Sequence, residues 1–299
     1  DDGNPMYDRI LVPVDGSDPA KRAVRYGTLL AEAYDAELAL LHVLASGSNG
    51  GEREEGEGDA RESEAARRAV LEAARALVGD RVPVETHLRE GVPHRAVTTH
   101  VTESDVDLVV MGRRGRAGLG EGLLGSVTER VVVGVDVPVV VVPEGDPDAP
   151  PEPPSAVLLP TDGSENADAA TAHAVGLVRR FGADLHVATV VDIEAAGGLF
   201  GTAGTDEELV DRLEASGGEA IERTVAAVRA TDADLDPTEA IVHGTPHEGI
   251  RDYVAENDID LVAMGSRGRS DIERQLFGSV AKRVLRVVDV PVLVVRAGE

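Results

Sequence analysis

The sequence predicts an α/β protein made of two tandem copies of one domain, each a five-stranded parallel sheet covered by helices. Its 299 residues suit two domains of ordinary size. The segment 106–116 (VDLVVMGRRGR) returns as 259–269 (IDLVAMGSRGR), which indicates an internal repeat. Apolar strand-like runs alternate with helical periodicity in both halves, and this alternation is typical of a parallel-sheet α/β sandwich.

The first copy opens with the apolar run 8–14, followed by Ala23, Leu30 and Tyr34 at helical spacing. Later runs such as LVVM and VVVV are apolar throughout, as strands covered on both faces must be. The predicted strands are 8–14, 37–44, 82–88, 107–111 and 138–142. The predicted helices lie within 15–35, over 60–78, after Pro93 and from near Gly125.

The second copy repeats this order of elements. Its predicted strands are 156–160, 185–191, 237–243, 260–264 and 291–295, and its helices lie near 166–181 and 206–230 and begin at about 246 and 278. Each copy thus has five strands and four helices. Because parallel crossovers are right-handed, the helices are expected on both faces of the sheet.

The segment between the copies is rich in proline and acidic residues, which favours a semi-rigid linker over a folded element. We therefore expect a first domain over 6–143, a linker over 144–155 and a second domain over 156–297.

The copies differ most between the second strand and the second helix. Residues 46–63 are acidic, rich in glycine and nearly devoid of apolar side chains, so they cannot bury enough surface to become ordered. The matching segment 192–208 carries Leu199 and Phe200 among glycines. It is either a mobile lid or contact loop, or a flexible connection with one buried anchor, and the sequence favours the second.

Charge and composition exclude several classes of function. The net charge is −26, which opposes binding to nucleic acid or to an anionic membrane. Cysteine is absent, so disulfides and cysteine zinc sites are excluded. No apolar stretch reaches the roughly 18 residues that cross a bilayer, and no signal-peptide pattern occurs, so a cytoplasmic protein is expected.

Both copies place chemistry-bearing residues at strand ends. Asp15 and Asp162 end the first strands, and Gly112 and Gly265 end the fourth. Ligands of open parallel sheets bind outside these carboxyl ends. The glycines of G-x-x-G also let the backbone approach a ligand closely, with its N–H groups exposed.

After nine intervening residues beyond Gly115 and Gly268, each copy has Gly-Ser-Val at a predicted helix start. Free N–H groups and the helix dipole favour an anion there, and Ser126 or Ser279 adds a hydroxyl donor. Nearby arginines are Arg113, Arg114, Arg116, Arg267 and Arg269. Singly, these features have ordinary structural explanations, such as a helix cap or a solvated arginine. Their recurrence at the same spacing favours a phosphate cradle.

The pattern G-x2-G-x9-G-[ST] after a strand and before a helix, joined to a strand-end aspartate, resembles that of the universal stress protein family. Both copies look like complete members, so the resemblance covers nearly the whole chain. It implies a Rossmann-like sheet of strand order 3-2-1-4-5 and a site for an adenine nucleotide (ATP, ADP or AMP) in each copy.

The resemblance also implies which residues line each site. In the first copy these are Pro13, Val14 and Asp15 at the adenosine, Val43 at the base, Met111 and Gly112 at the ribose, and Gly115, Gly125, Ser126 and Val127 at the phosphates. In the second copy they are Pro160, Thr161, Asp162, Val190, Met264, Gly265, Gly268, Gly278, Ser279 and Val280. The Val43 and Val190 assignments depend on Leu38 matching Leu185.

We therefore expect a stress-response protein that acts by binding nucleotide rather than by turnover. Asp15 and Asp162 could hold Mg²⁺ against the phosphates, but no second candidate of similar placement is visible, and no catalytic residue is predicted. The alternatives are a slow ATP hydrolase or phosphotransferase, and a protein-interaction scaffold that binds no nucleotide. The sequence does not say which adenine nucleotide is preferred, or whether the two sites differ.

The remaining features concern partners and setting. The fifth strands (137–142 and 290–295) lie at sheet edges, where members of the family pair, so we expect a pseudo-dimer of the two copies and leave a homodimer of chains open. Only Lys21 and Lys282 are lysines, and such acidic, lysine-poor composition resembles that of proteins from halophilic archaea that accumulate salt. A GC-rich genome is the alternative explanation.

A Gly-Thr-Pro turn separates His243 from His247, so no metal site is expected there.

Overall fold

The computed structural model describes residues 6–45, 57–115, 123–192, 207–268 and 277–297. The chain divides into two compact units, Asp1–Glu152 and Pro153–Glu299. Each unit is a parallel five-stranded sheet with helices between consecutive strands, which confirms the α/β fold predicted for both copies.

In the first unit the sheet order is β3-β2-β1-β4-β5, with parallel pairing throughout. This is the predicted order 3-2-1-4-5. The strands are β1 Arg9–Val14, β2 Glu37–Ala45, β3 Val84–Gly91, β4 Leu108–Gly112 and β5 Val139–Val142. The helices are α1 Asp18–Tyr34, α2 Glu57–Val78, α3 Pro93–Glu103 and α4 Ser126–Gly134.

The second unit has the same topology, with sheet order β8-β7-β6-β9-β10. Its strands are β6 Ala156–Pro160, β7 Asp184–Val191, β8 Thr238–His243, β9 Leu261–Gly265 and β10 Val292–Val295. Its helices are α5 Glu165–Ala169, α6 Thr171–Phe181, α7 Glu207–Thr231, α8 Pro246–Glu256 and α9 Ser279–Val287.

Two helices differ from expectation. The single helix predicted near 166–181 is divided into α5 and α6, because the N–H of Ala170 bonds the Ala167 carbonyl at 3.1 Å and so tightens one turn. Helix α2 begins at Glu57, inside the segment expected to lack order. The remaining predictions, of disorder in the first copy and of a lid or a buried anchor in the second, concern residues 46–56 and 193–206. These lie outside the described residues.

The cores are aliphatic, as the scarcity of aromatic residues requires. Every residue of β4, β5, β6, β9 and β10 is buried. Each fully buried valine or leucine contributes roughly 1.5–3 kcal/mol, so these strands hold in place the ends from which the site loops emerge. Among the described helices, none combines the length and the apolar character needed to span a membrane.

Candidate functional site at the carboxyl ends of the strands

The turn after the first strand of each unit is built around an aspartate. Oδ1 of Asp15 accepts hydrogen bonds from the N–H of Ser17 at 3.0 Å and from its hydroxyl at 2.5 Å. The Ser17 hydroxyl in turn accepts the N–H of Ala20 and caps α1. In the second unit Oδ1 of Asp162 likewise accepts the N–H of Ser164 at 3.0 Å, and the Ser164 hydroxyl accepts the N–H of Ala167 and caps α5. The aspartate therefore positions the capping serine and does not cap the helix itself.

The second carboxylate oxygen of each aspartate lies against the G-x-x-G loop. A Cβ added at Gly268 would stand 2.6 Å from Oδ2 of Asp162, and one added at Gly115 would overlap Oδ2 of Asp15. A residue with a side chain at either position would force the carboxylate to shift. The glycines recur because the loop after the fourth strand crosses directly over the end of the first.

Gly112 and Gly265 have a packing function as well as the predicted place at a ribose. A Cβ on Gly112 would stand 2.8 Å from the backbone carbonyl of Pro19. One on Gly265 would overlap the backbone of Asn166. The first turn of the helix after the first strand, α1 or α5, therefore packs on the end of the fourth strand, and this brings the aspartate and the glycine loop together.

Helices α4 and α9 begin beside these loops. The N–H of Gly125 bonds the carbonyl of Arg113 at 2.9 Å, and that of Gly278 bonds the carbonyl of Ser266 at 3.0 Å. Both glycines are N-cap residues, and in the described structure neither helix has a side-chain cap at that position. The first N–H groups of such helices suit an anion.

In the second unit these elements enclose a cavity of about 220 Å³. The cavity is lined by eight of the predicted residues, namely Pro160, Thr161, Asp162, Val190, Met264, Gly265, Gly268 and Val280. Gly278 and Ser279 were also predicted, but they are not among the lining residues. The cavity is also lined by Arg267, which was named as an arginine near the phosphate cradle, and by five residues that were not predicted, namely Ala167, Ala188, Pro246, Ile250 and Ala281.

Some of the missed residues had a usable signal. Ala188 lies two positions before Val190 on β7, so strand periodicity places both on one face. Pro246 and Ile250 belong to α8, which follows β8. Neither residue carries a polar group that would have pointed to a ligand, and their contribution depends on how α8 packs.

Thr161 differs from its counterpart Val14 by a buried hydroxyl that has a structural partner. Its Oγ1 accepts the N–H of Gly163 at 3.1 Å and the hydroxyl of Thr224 at 2.8 Å. Thr224 is fully buried on α7. The hydrogen bond therefore joins α7 to Thr161, which lines the cavity of the second unit.

In the first unit the predicted residues occupy the matching positions. Val14, Met111 and Gly112 are buried, Gly115 and Ser126 are exposed, and Pro13, Asp15, Val43, Gly125 and Val127 lie between. Ile10 pairs with Leu38, and Val157 pairs with Leu185. This register supports the alignment on which the Val43 and Val190 assignments depend, while their role at a base stays a prediction.

The arginines of the two loops have different environments. In the first unit Nη1 of Arg113 lies 3.3 Å from Oε2 of Glu144, and Nε of Arg114 lies 2.5 Å from Oε1. Arg113 is only 4% exposed, so this arginine near the predicted phosphate cradle is buried. Arg267 instead lines the cavity of the second unit. Arg116 and Arg269 lie outside the described residues.

No cluster of three metal-binding side chains occurs in the described ranges of the chain. His243 contacts Glu214 across 2.9 Å. Mg²⁺ at Asp15 and Asp162, which was expected together with a nucleotide, stays a prediction.

Comparison with known proteins decides the family. The sequence model of the universal stress protein family matches residues 6–143 and again 155–296. This chain belongs to the universal stress protein family. A universal stress protein of Mycolicibacterium smegmatis is 31% identical over 296 residues, which are 96% of each chain. The match to this relative spans both domains of this universal stress protein.

A second universal stress protein, from Methanocaldococcus jannaschii, is 32% identical over 140 residues, covering 47% of this chain and 81% of its own. The crystal structure of a universal stress protein from Archaeoglobus fulgidus superposes with a TM-score of 0.70 at 22% identity, covering 98% of this chain and 99% of that one. At this identity the likeness shows the fold alone.

Proposed function

We propose that this universal stress protein binds an adenine nucleotide (ATP, ADP or AMP) in each domain and acts by binding rather than by turnover. The cavity at the carboxyl ends of β6, β7 and β9 carries the proposal. It lies where open parallel sheets bind ligands. Asp162, Met264 and Gly268 of the repeated motif line it together.

The walls of the cavity match the parts of a nucleotide. Val190, Ile250 and Met264 offer apolar surface for a flat base. The start of α9 offers backbone N–H groups, and Val280 of α9 and Gly268 both line the cavity. Backbone donors at a helix N-terminus suit the phosphates.

The lining residues favour binding over chemistry. Asp162 is the one carboxylate among the residues that line the described cavity, and its Oδ1 is already bonded to the N–H of Ser164. Together with the phosphates it would hold Mg²⁺, which prefers oxygen ligands. Fast phosphoryl transfer also needs a second group to orient the nucleophile, and the described lining contains none.

The proposed setting is the cytoplasm of a halophilic archaeon that accumulates salt. The support is the net charge of −26 together with the near-absence of lysine. The pairing of the two copies, and of two chains, stays a prediction.

Calorimetric titration with ATP in concentrated KCl tests the proposal, on the intact chain and on Gly125→Asp and Gly278→Asp. Both glycines have a φ that any residue adopts, −63° and −58°. The new carboxylates would repel phosphates at the helix starts. At Gly125 the added Cβ would also stand 3.1 Å from the Arg113 carbonyl oxygen and 3.2 Å from the Arg114 Cα, so the thermal unfolding of the variant is recorded in parallel. Gly218→Ala is the control, since an added Cβ there meets nothing within 4 Å.

We expect each aspartate variant to lose about one of two bound nucleotides, the control to keep both, and no burst of phosphate release. Stoichiometric turnover would support the hydrolase alternative. Absence of binding by the intact chain at any KCl concentration would support the scaffold.

A further inference from the structure

We propose that Ala188 sets the base specificity of the second-domain site: this site accepts an adenine nucleotide whose base carries a small apolar substituent, whereas Leu41 restricts the first-domain site to the plain base. This inference rests on the proposed function and gives each site a ligand class. The difference lies at the inner, apolar end of the pocket and not at the phosphates. The glycine motif, which both copies share, does not predict it.

Leu41 and Ala188 occupy the same place in the two sheets. Leu41 pairs in register with Pro13 of β1, and Ala188 pairs with Pro160 of β6. Each also stands two positions before the valine that is predicted to lie at a base. Side chains two positions apart on a strand share one face, so Leu41 and Ala188 both point to the face on which the base is expected.

This face is covered by α3 in the first domain and by α8 in the second. Ala188 lines the cavity together with Ile250 of α8. Leu41 pairs in register with His87, whose ring lies 4.6 Å from that of His100 on α3. Leu41 therefore points under α3 as Ala188 points under α8, and it is fully buried. Its side chain fills the space that corresponds to the inner end of the second-domain cavity.

The neighbours of Ala188 do not make up the lost volume. Its sheet partner on β8 is Ala240, at the place that His87 holds in the first domain. The matching helix residues are Val97 and Ile250, each four positions beyond the proline that begins its helix. Isoleucine exceeds valine by a single methyl group, which is less than leucine exceeds alanine. The second pocket therefore keeps added depth.

Two larger residues bound this depth without filling it. His186 stands two positions before Ala188 on the same face, and its Nδ1 lies 2.9 Å from the hydroxyl oxygen of Tyr253 on α8. Neither residue is among those that line the described cavity. Nearer the strand end, α8 approaches closely, since a Cβ on Gly249 would stand 2.8 Å from Cγ1 of Val190. The added space therefore lies at Ala188, between the close approach and the His–Tyr pair.

The chemistry of this inner end selects the kind of substituent. Ala188, Pro246 and Ile250 line it, and their side chains have no polar atom. Burial of a methyl group against them is favourable, whereas an added polar group would find no hydrogen-bond partner among these side chains. The ligand class is therefore an adenine nucleotide enlarged by an apolar group. In a pocket already filled by Leu41, such a group costs about 10-fold or more in affinity.

Each site can be measured alone, because Gly278→Asp is expected to leave the first and Gly125→Asp the second. We would titrate both variants in concentrated KCl with ATP and with two analogues, one methylated at N6 and one carrying a methylthio group at C2. At the second site at least one analogue should bind within ~3-fold of ATP. At the first site the same analogue should bind at least ~10-fold more weakly than ATP.

Truncation in the first domain tests the cause. In the Gly278→Asp background, Leu41→Ala should raise the affinity for that analogue about 10-fold and leave ATP nearly unchanged. Leu40→Ala is the matched control, because it removes the same buried side chain from the other face of β2. That face packs on α1, where a Cβ on Gly27 would stand 3.5 Å from Cδ1 of Leu38. Leu40→Ala should not improve binding of the analogue.

The reverse change tests the cause in the second domain. In the Gly125→Asp background, Ala188→Leu should lower the affinity for the analogue about 10-fold, with a smaller effect on ATP. Val187→Leu enlarges the neighbouring residue, which points to the opposite face of β7, and should leave the analogue-to-ATP ratio unchanged.

Equal analogue-to-ATP ratios at both sites would overturn the base specificity while leaving the proposed function intact. A difference that neither Leu41→Ala nor Ala188→Leu changes would overturn the role of these two residues. No nucleotide binding by the intact chain would overturn the proposed function itself. Truncating a buried leucine is destabilising, so thermal unfolding of each variant is recorded in parallel. If Leu41→Ala unfolds, Ala188→Leu still decides the question.

Discussion

Oδ2 of Asp162 lies so close to the Cα of Gly268 that a side chain at position 268 would have its Cβ 2.6 Å from that oxygen. Asp15 and Gly115 repeat the relationship in the first domain. The contact joins the turn after the first strand to the loop after the fourth, two segments that meet only in the folded sheet. The geometry of the site therefore depends on a glycine that touches a carboxylate.

Gly268→Ala should displace the Asp162 carboxylate and so weaken nucleotide binding at the second site about tenfold, with a loss of unfolding free energy of about 1 kcal/mol. Titration in the Gly125→Asp background and denaturant unfolding measure the two effects. Gly218→Ala in α7 should keep the affinity and add up to about 1 kcal/mol of stability through helix propensity. Wild-type affinity in Gly268→Ala would show that the contact does not shape the site.

Gly265→Ala should be more damaging to the fold, because the new Cβ meets backbone of Asn166, which cannot rotate away. We expect a loss of about 2–3 kcal/mol of unfolding free energy as α5 shifts off β9. The midpoint of guanidinium unfolding reports the change. A loss below about 0.5 kcal/mol would mean that α5 moves easily, and the packing explanation for this glycine would then be wrong.

The buried hydroxyl pair Thr161–Thr224 can be examined by a double-mutant cycle. Thr161→Val should cost about 1–3 kcal/mol, because the Thr224 hydroxyl and the Gly163 N–H lose their acceptor in a buried place. Thr161→Val with Thr224→Val should cost less than the sum of the single changes. Strict additivity of the unfolding free energies would indicate that the two hydroxyls are not coupled.

His100 should make stability depend on pH. Burial lowers its pKa to about 4, helped by the nearby His87 and Arg89, and its Nε2 is buried with no hydrogen-bond partner in the described structure. The folded-state pKa lies below the unfolded value of about 6.5, so the contribution is fully present above pH 6.5 and is lost as the pH falls towards 4.

The expected loss is on the order of 2 kcal/mol between those pH values. Protonation of carboxylates also changes stability over this range, so the measurement is the difference between the wild type and His100→Gln, which does not titrate. If the two unfolding free energies run parallel with pH, the histidine contributes nothing to the pH dependence.

The net charge of −26 should make the fold sensitive to salt. The screening length falls from about 30 Å at 0.01 M salt to about 3 Å at 1 M, and self-repulsion falls with it. The melting temperature should therefore rise with KCl and level off near 1 M. A melting temperature independent of KCl below that concentration would contradict the argument, and a continued rise into multimolar salt would indicate a further ion effect.

The sequence is a good guide to the strands, because β4, β5, β9 and β10 are apolar runs whose burial leaves no alternative pattern. It predicts the aspartate and glycine positions for the same reason, since they follow those strands directly. It does not predict the division at Ala170. One tightened turn does not change the helical spacing of the apolar side chains, so the sequence pattern does not reveal it.

The loop arginines show where local patterns fail. Arg113 and Arg114 look like exposed cations, and their pairing with Glu144 joins residues about thirty positions apart. Nothing in the spacing of the glycine motif encodes that contact. It follows from the parallel pairing of β4 with β5, which brings the linker beside the loop.

The linker contact also decides where this protein can be cut. The family match to the first copy stops at 143, one residue short of Glu144, whereas the compact unit extends to Glu152. The intervening stretch is held by the first domain, since Nε of Arg25 donates to the carbonyl of Pro147 at 2.9 Å. A fragment ending at 143 would lack Glu144, the carboxylate that pairs with Arg113 and Arg114 in the intact chain. The affinity of such a fragment for phosphate would therefore not represent that of the intact protein. To produce the two domains separately, the chain should be divided within the prolines that follow residue 149.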